Sequence, residues 1–425
     1  MLRAFLNAFK VPDLRAKILF TLFIIAVYRF GSWVPVPVVD TTLIRRQLEG
    51  DQGFLSFINI FSGGGLTRFA VFSLGIMPYI TSSIIMQLLT VVIPKLQQYQ
   101  EQGEPGVKKI NQWTRIMTVV LALLQSTGLV FLFHSGQEFP DVFPAGTFTP
   151  GNVALIVLTM TAGTALIMWL GELITQRGVG NGMSILIFTS VISTLPSEGG
   201  AILSVGGAGK FVAMLLLGIA IIVAVVFIDQ GQRRIPIQYA RRVVGRKMTT
   251  GGSTYLPLKV NQAGVIPIIF ATSVLYFPVL LASVISAEWF RNFVNSYIQN
   301  HRSIVYMAIL ALLIVFFAYF YTAIQFDPYR QADNLRKQGG FIPGIRPGPP
   351  TAEHLNSVLV RITLPGSLFL AAIALIPSVV IAYWLPVASF PFGGTTILIT
   401  VGVALETMKQ IESQLMMRHY EGFLR

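Results

Sequence analysis

The residues able to do chemistry are few, and their spacing keeps them apart. His134, His301, His354 and His419 are scattered over loops and segment ends without metal-ligand spacing. The chain has no cysteine, which removes disulfides, zinc-thiolate sites and thiol nucleophiles. Glu172, Glu406 and Arg29 fall near the ends of apolar stretches, where a charge can snorkel or pair at an interface. Ion-coupled carriers place carboxylates, histidines or basic groups near the bilayer midplane, and here the midplane positions are nearly bare. No Ser/His/Asp constellation, P-loop or dinucleotide fingerprint stands in a suitable strand-to-helix context. The expectation is therefore no enzyme, no catalytic residue, no metal and no cofactor.

The elements that must position anything else are membrane helices. Ten mostly apolar stretches of about 17 to 24 residues can each cross a hydrocarbon layer of about 30 Å. They are expected at 18–37, 72–93, 114–134, 152–172, 183–197, 211–228, 262–286, 304–325, 359–383 and 392–408. The fifth is short, and spans only if its approach GVGNG begins the helix or the bilayer thins. Composition agrees: 53% of residues are hydrophobic and 12% charged, against about 25% charged in soluble domains. Spans and connections nearly use up the 425 residues, so one membrane unit is expected, with no separate extramembrane domain. The opening MLRAFLNAFKVPDLRAKILF lacks a small-residue cleavage site and reads as no removable signal peptide.

A net charge of +13 could serve nucleic acid binding, but its distribution points to topology. With the N-terminus inside, twenty-four of the 31 Lys and Arg fall on inner segments, which places both termini in the cytoplasm. Two inner loops exceed what topology needs. DQGQRRIPIQYARRVVGRKMTTGGSTYLPLKVNQAG (229–264) mixes basic with β-branched and aromatic residues, as a projecting hairpin would. QFDPYRQADNLRKQGGFIPGIRPGPPTAEHL (325–355) is as long and is stiffened by Pro and Gly. Such loops suit a soluble partner with an acidic or phosphate surface better than lipid alone. On the outer side, GDQGFLSFINIFSGGGLTRFAVFSLGIMPYI (50–80) holds an apolar stretch too short to cross, interrupted by Gly63, Gly64 and Gly65. It reads as a re-entrant helix with a glycine hinge, or as a surface amphipathic helix.

Five motifs, in order along nearly the whole chain, resemble the bacterial SecY family. They are FSGGGLTRFAVFSLGIMPYITSSIIMQLL (61–89), WLGELITQRGVGNGMSILIF (169–188), QGQRRIPIQYARR with STYLPLKVNQAGVIPIIF (230–242 and 253–270), ADNLRKQGGFIPGIRPG (332–348) and LMMRHYEGFLR (415–425). The resemblance implies an all-α polytopic bundle of ten helices in two five-helix halves, 1–200 and 201–425, with long cytoplasmic loops at 229–262 and 326–357. It implies a channel that passes unfolded polypeptides across the membrane and releases transmembrane segments sideways into lipid. The plug is then expected near 57–67, with Phe57, Ile58, Ile60, Phe61, Gly63, Gly64, Gly65 and Leu66. The pore ring falls on Ile76, Ile80, Met183, Ile187, Ile269 and Ile399, with Met183 standing where isoleucine is usual. Such a ring offers water and ions no hydrogen bonds and closes by dewetting.

For the lateral gate the same reasoning selects Thr81, Ser82, Gln125, Thr272 and Ser273, with Thr81, Gln125 and Thr272 or Ser273 as a small polar latch. Arg346 in PGIRPG and the group Arg241, Arg242, Arg246 and Lys247 are the partner-binding candidates. Implied partners are SecE and SecG in the membrane, the SecA motor or a ribosome at the loops, signal sequences and nascent polypeptides as cargo, and membrane lipid around the bundle. The implied location is the bacterial inner membrane; a thylakoid homologue is the other possibility. Two other readings stand beside the channel: a small-solute transporter, disfavoured by the bare midplane, and a ribosome receptor, which leaves the glycine-hinged segment without a role.

Overall fold

In the computed structural model, residues 11–39, 54–134, 147–239, 253–284, 287–299, 303–383 and 394–423 are described. So are positions 9, 41, 44, 143, 243–244 and 247–248. Among the described residues, ten long helices occur in order. The first is Pro12–Gly31, the second Met77–Val92, the third Glu104–His134, the fourth Pro150–Arg177 and the fifth Gly182–Ser204. The sixth is Gly207–Gln230, the seventh Ile266–Val284, the eighth Ile304–Gln325, the ninth Pro349–Tyr383 and the tenth Gly394–Phe423. Every expected span overlaps one of them, although the first helix ends at Gly31, short of the expected 37. Among the described residues, six are long and apolar enough to cross a membrane by themselves, which makes the chain a multi-pass membrane protein. Large side chains such as Leu124, Phe131, Phe227 and Leu312 stand exposed, as a lipid-facing surface requires.

Several helix starts differ from the expected spans for local reasons. The second begins at Met77, because Phe72 to Ile76 are taken up by turns that return from the glycine-rich segment. It ends at Ile93, where Pro94 starts the short helix Pro94–Glu101 at 100° to it. The third helix starts ten residues early, at Glu104. The short fifth stretch gains its length at the far end. Asn181 caps its start, Oδ1 accepting from the N–H of Met183 at 3.1 Å and of Ser184 at 3.4 Å, and the helix continues to Ser204. A kink at Gly207, at φ 72°, then sets it off from the sixth helix. The division expected at 200/201 thus falls in the last turn of the fifth helix.

The two long loops fold together. Strand β1 (Gln232–Tyr239) pairs antiparallel with β4 (Ser253–Lys259), from Gln232 opposite Lys259 to Gln238 opposite Ser253, the hairpin anticipated from composition. Its other edge takes β5 (Gly340–Phe341) from the second loop, giving the order β4-β1-β5. Ile235 and Ile237 alternate inward from β1, and Ile235 forms a small core with Leu258, Ile342 and Leu355 against the start of the ninth helix. Between the eighth helix and β5, Asp327 caps the helix Pro328–Lys337.

Candidate functional site

Four of the expected ring residues, Ile76, Ile187, Ile269 and Ile399, belong to one buried cluster, with Ile80 half-buried against it. The second, fifth, seventh and tenth helices all contribute, so residues more than three hundred positions apart meet there. Ile76 is the N-cap of the second helix, and its carbonyl accepts from the Ile80 N–H at 3.1 Å, which keeps the two one turn apart. Met183 departs from the set. It packs on the fourth helix, where a Cβ on Gly171 would lie 2.5 Å from its Sδ. A flexible thioether at the first turn of the fifth helix fills that gap.

The short helix Phe54–Phe61 enters the same cluster through Phe61, 1% exposed, and Ile60, while Ile58 and Leu66 pack in a neighbouring cluster with the third and fourth helices. It starts three residues before the expected plug and ends before the glycines. Phe57 lies within it. Gly63 and Gly64 follow at φ 64° and 82°, a left-handed turn that L side chains rarely adopt. Asn59 Oδ1 accepts from the Thr67 N–H and Thr67 Oγ1 donates to the Gly64 carbonyl, closing the turn; Gly65 lies inside it. On the return, Val36 N–H donates to Phe69 and Val71 N–H to Val34, a bridge that ties the segment to the exit of the first helix. Gly163 lets it lie directly on the fourth helix, since a Cβ there would meet the Val71 carbonyl at 2.1 Å.

On the side facing the loops, the cluster borders a cavity of about 390 Å³ with mixed polar and apolar lining. Val265 and Val403 belong to both; Asn181, Ser184, Asp229, Lys259, Gln325 and Glu406 supply polar lining. Glu406 lines this cavity together with Asp229, Lys259 and Lys409. Glu172 pairs with Arg115 at 2.6 Å across the third and fourth helices, as an interfacial charge should.

The polar latch takes a different form from the expectation. Thr81 Oγ1 donates to Met77 O and Thr272 Oγ1 to Ile268 O and Ile269 O, each within its own helix. Ser82 Oγ donates to Thr114 O of the third helix at 2.7 Å. Ser273 Oγ is buried without a partner among the described residues, and Gln125 is half-buried on the third helix. None of these hydroxyls bonds another member of the set. Apolar side chains make the junction instead: Ile84 and Leu88 of the second helix pack on a core that includes Ile268, Ala271 and Leu275 of the seventh. Membrane serines and threonines commonly satisfy themselves on the preceding turn, which is why residue type alone suggested a latch.

At the loop end, Arg346 is exposed in a turn framed by Gly344 at φ 83° and Gly348 at φ 110°. Its carbonyl accepts from Thr351 Oγ1 at 2.8 Å, fixing the backbone from which the guanidinium projects. Lys247 lies in strand β3 (Lys247–Met248), opposite Val244 of β2 (Val243–Val244). Arg241, Arg242 and Arg246 lie outside the described residues.

A family model for SecY matches residues 70–408. The chain belongs to the SecY family. A protein translocase subunit SecY of Streptomyces coelicolor is 53% identical over 438 residues, covering 100% of both chains. Among solved structures, a protein-conducting channel aligns with TM-score 0.63 at 18% identity over 94% of this chain and 92% of its own. Sec61 in a canine ribosome-channel complex aligns with TM-score 0.60 at 16% identity over the same shares. At such identities the structural matches speak for the fold, while the family rests on sequence.

Proposed function

We propose that this chain is the channel subunit of a protein translocase, passing unfolded polypeptides through the bundle and releasing apolar segments sideways into lipid. The observation that carries the reading is the meeting of Ile76, Ile187, Ile269 and Ile399 with Phe61 of the short helix, in a cluster bordered through Val265 and Val403 by a cavity of mixed lining. Branched apolar groups there exclude water and ions at rest and yield to side chains of any kind, since they form no directional bonds. Ile60 and Phe61 act as the plug, with the turn at Gly63 and Gly64 as its hinge. The lateral gate is the apolar contact of the second and seventh helices. Parting such helices in lipid breaks few polar bonds, which suits reversible opening.

The basic sheet and Arg346 form the docking end for a motor such as SecA or for a ribosome, as in the canine complex. SecE and SecG brace the bundle, and the protein resides in the bacterial inner membrane with both termini cytoplasmic. The chain performs no catalysis, so driving energy comes from the docked partner. Liposomes holding the purified channel with SecE, given SecA, ATP and a preprotein, should accumulate protease-protected preprotein. ATP hydrolysis without protected preprotein would reject the channel reading. A cysteine pair scanned across Ile84 or Leu88 and Leu275 should block uptake until reduced, and free passage through a crosslinked pair would reject the gate.

A further inference from the structure

We infer that Arg29 is the latch that positions the hinge of the short helix when the channel is shut; the inference rests on the plug reading above. Arg29 stands in the last turn of the first helix, where its Nη1 donates to the Gly63 carbonyl at 2.9 Å and to Ser193 Oγ of the fifth helix at 2.8 Å. The seat is closed around bare backbone. A Cβ on Gly63 would lie 2.7 Å from Arg29 Nη1 and 3.3 Å from Ser190 Cα. Next to it, the buried Tyr28 hydroxyl and Ser190 Oγ are 2.6 Å apart, which holds the first helix to the fifth at the level of the hinge.

Two features make this contact a latch rather than packing. The hinge is held differently on its two sides: the Pro35/Ala70 bridge fixes the return side by backbone bonds, whereas Gly63 is held to the first helix by one side chain. The second is its connection to the ring. Ser190 and Ser193 lie three and six residues beyond Ile187 on the same helix, so a shift of the fifth helix that widens the ring also withdraws the Arg29 acceptor. Bonds from a charged donor are stronger than neutral ones, so this contact favours the shut state. An incoming polypeptide opens the channel only through what it gains in the open state, and the latch sets part of that requirement. Without it, segments that bind the gate weakly should suffice.

The test uses the full chain with its membrane subunits in planar bilayers and liposomes, carrying Arg29→Met, Ser193→Ala or both. A variant lacking residues 57–67 serves as control. Resting conductance should rise about tenfold in Arg29→Met and less in Ser193→Ala, with the double variant no leakier than Arg29→Met alone. Uptake of a preprotein whose apolar targeting segment has been shortened should increase, while that of the intact preprotein stays unchanged; Arg29→Lys should restore part of the wild-type behaviour. If Arg29→Met fails to assemble, Ser193→Ala and Arg29→Lys decide. Wild-type resting current and discrimination in the assembled variants, beside a leaky deletion, would overturn the latch alone. Equal loss of uptake for both preproteins would make the contact merely structural. An unchanged resting current in the deletion would remove the plug reading and the latch with it.

Discussion

On the proposed function, the buried cluster and the basic loop end solve opposite problems with opposite chemistry. The cluster gathers aliphatic residues from the second, fifth, seventh and tenth helices, and the Tyr28 hydroxyl within it is taken up by Ser190. The loop end presents charge from two segments fixed as one sheet, with Ile235, Leu258 and Ile342 beneath as a private core. A barrier against ions must have nothing for water to hold, and it must deform. A docking surface must hold its charges in register against a partner, and it must not deform. Damage to one region should therefore leave the other's task intact, and that separation can be broken experimentally.

The largest effect is expected in the cluster. Replacing Ile80 and Ile187 together by serine puts hydroxyls into the barrier and widens it, and resting conductance in planar bilayers should rise by about one to two orders of magnitude. Motor-driven uptake should persist. A tight barrier in a double variant that still assembles would remove these two residues from the seal. Next comes Arg346→Glu, which places a like charge where an acidic or phosphate acceptor must dock. Uptake should fall about tenfold or more while resting conductance stays at the wild-type level. If the leak rises as well, the loop end and the cluster are coupled, and the contrast between them fails.

These two regions also differ in how far the sequence alone revealed them. The helices were legible because a run of about twenty apolar residues has one common outcome in lipid. Charge asymmetry, the β1/β4 hairpin and the glycine hinge were legible for similarly local reasons. What stayed hidden depends on contacts between distant segments. β5 is two residues long and carries no strand pattern of its own; it exists because β1 offers an unpaired edge. The resemblance puts Met183 in the ring beside Ile187, yet Gly171 opposite offers it a niche that no motif records. Arg29, at a span end, reads as a charge that snorkels or pairs at an interface, and only the fold supplies Gly63 and Ser193 as its partners.

A smaller effect tests whether the docking end owes its rigidity to its own core. Leu258 is fully buried beneath the sheet, and Leu258→Ala should cost about 2 to 5 kcal/mol of local packing. Limited proteolysis between β1 and β4 should quicken severalfold, and uptake should fall through lost docking while conductance is unchanged. Unaltered proteolysis would mean that the hairpin is held by something other than this core.

The smallest effect concerns Asp333, in the helix Pro328–Lys337 beside β5. Hydrogen bonding and charge attraction from Lys337, and next from Arg336, hold its carboxyl below the ordinary carboxylate range; the ion pairs measure 2.8 Å and 2.7 Å. Since folding lowers this pKa, its contribution is fully present above the unfolded value and is lost as pH falls through the folded one. The pairs are solvent-exposed, so screening keeps the contribution small. From pH 7 to about 5 the proteolysis rate of this loop should be flat, and below the normal carboxylate range it should rise slightly. Asp333→Asn should show the acid-side rate already at pH 7 and lose that pH dependence. The cluster contains no group that titrates there, so resting conductance should not follow the same curve. A conductance that tracked Asp333 protonation would mean that the loop end communicates with the barrier after all.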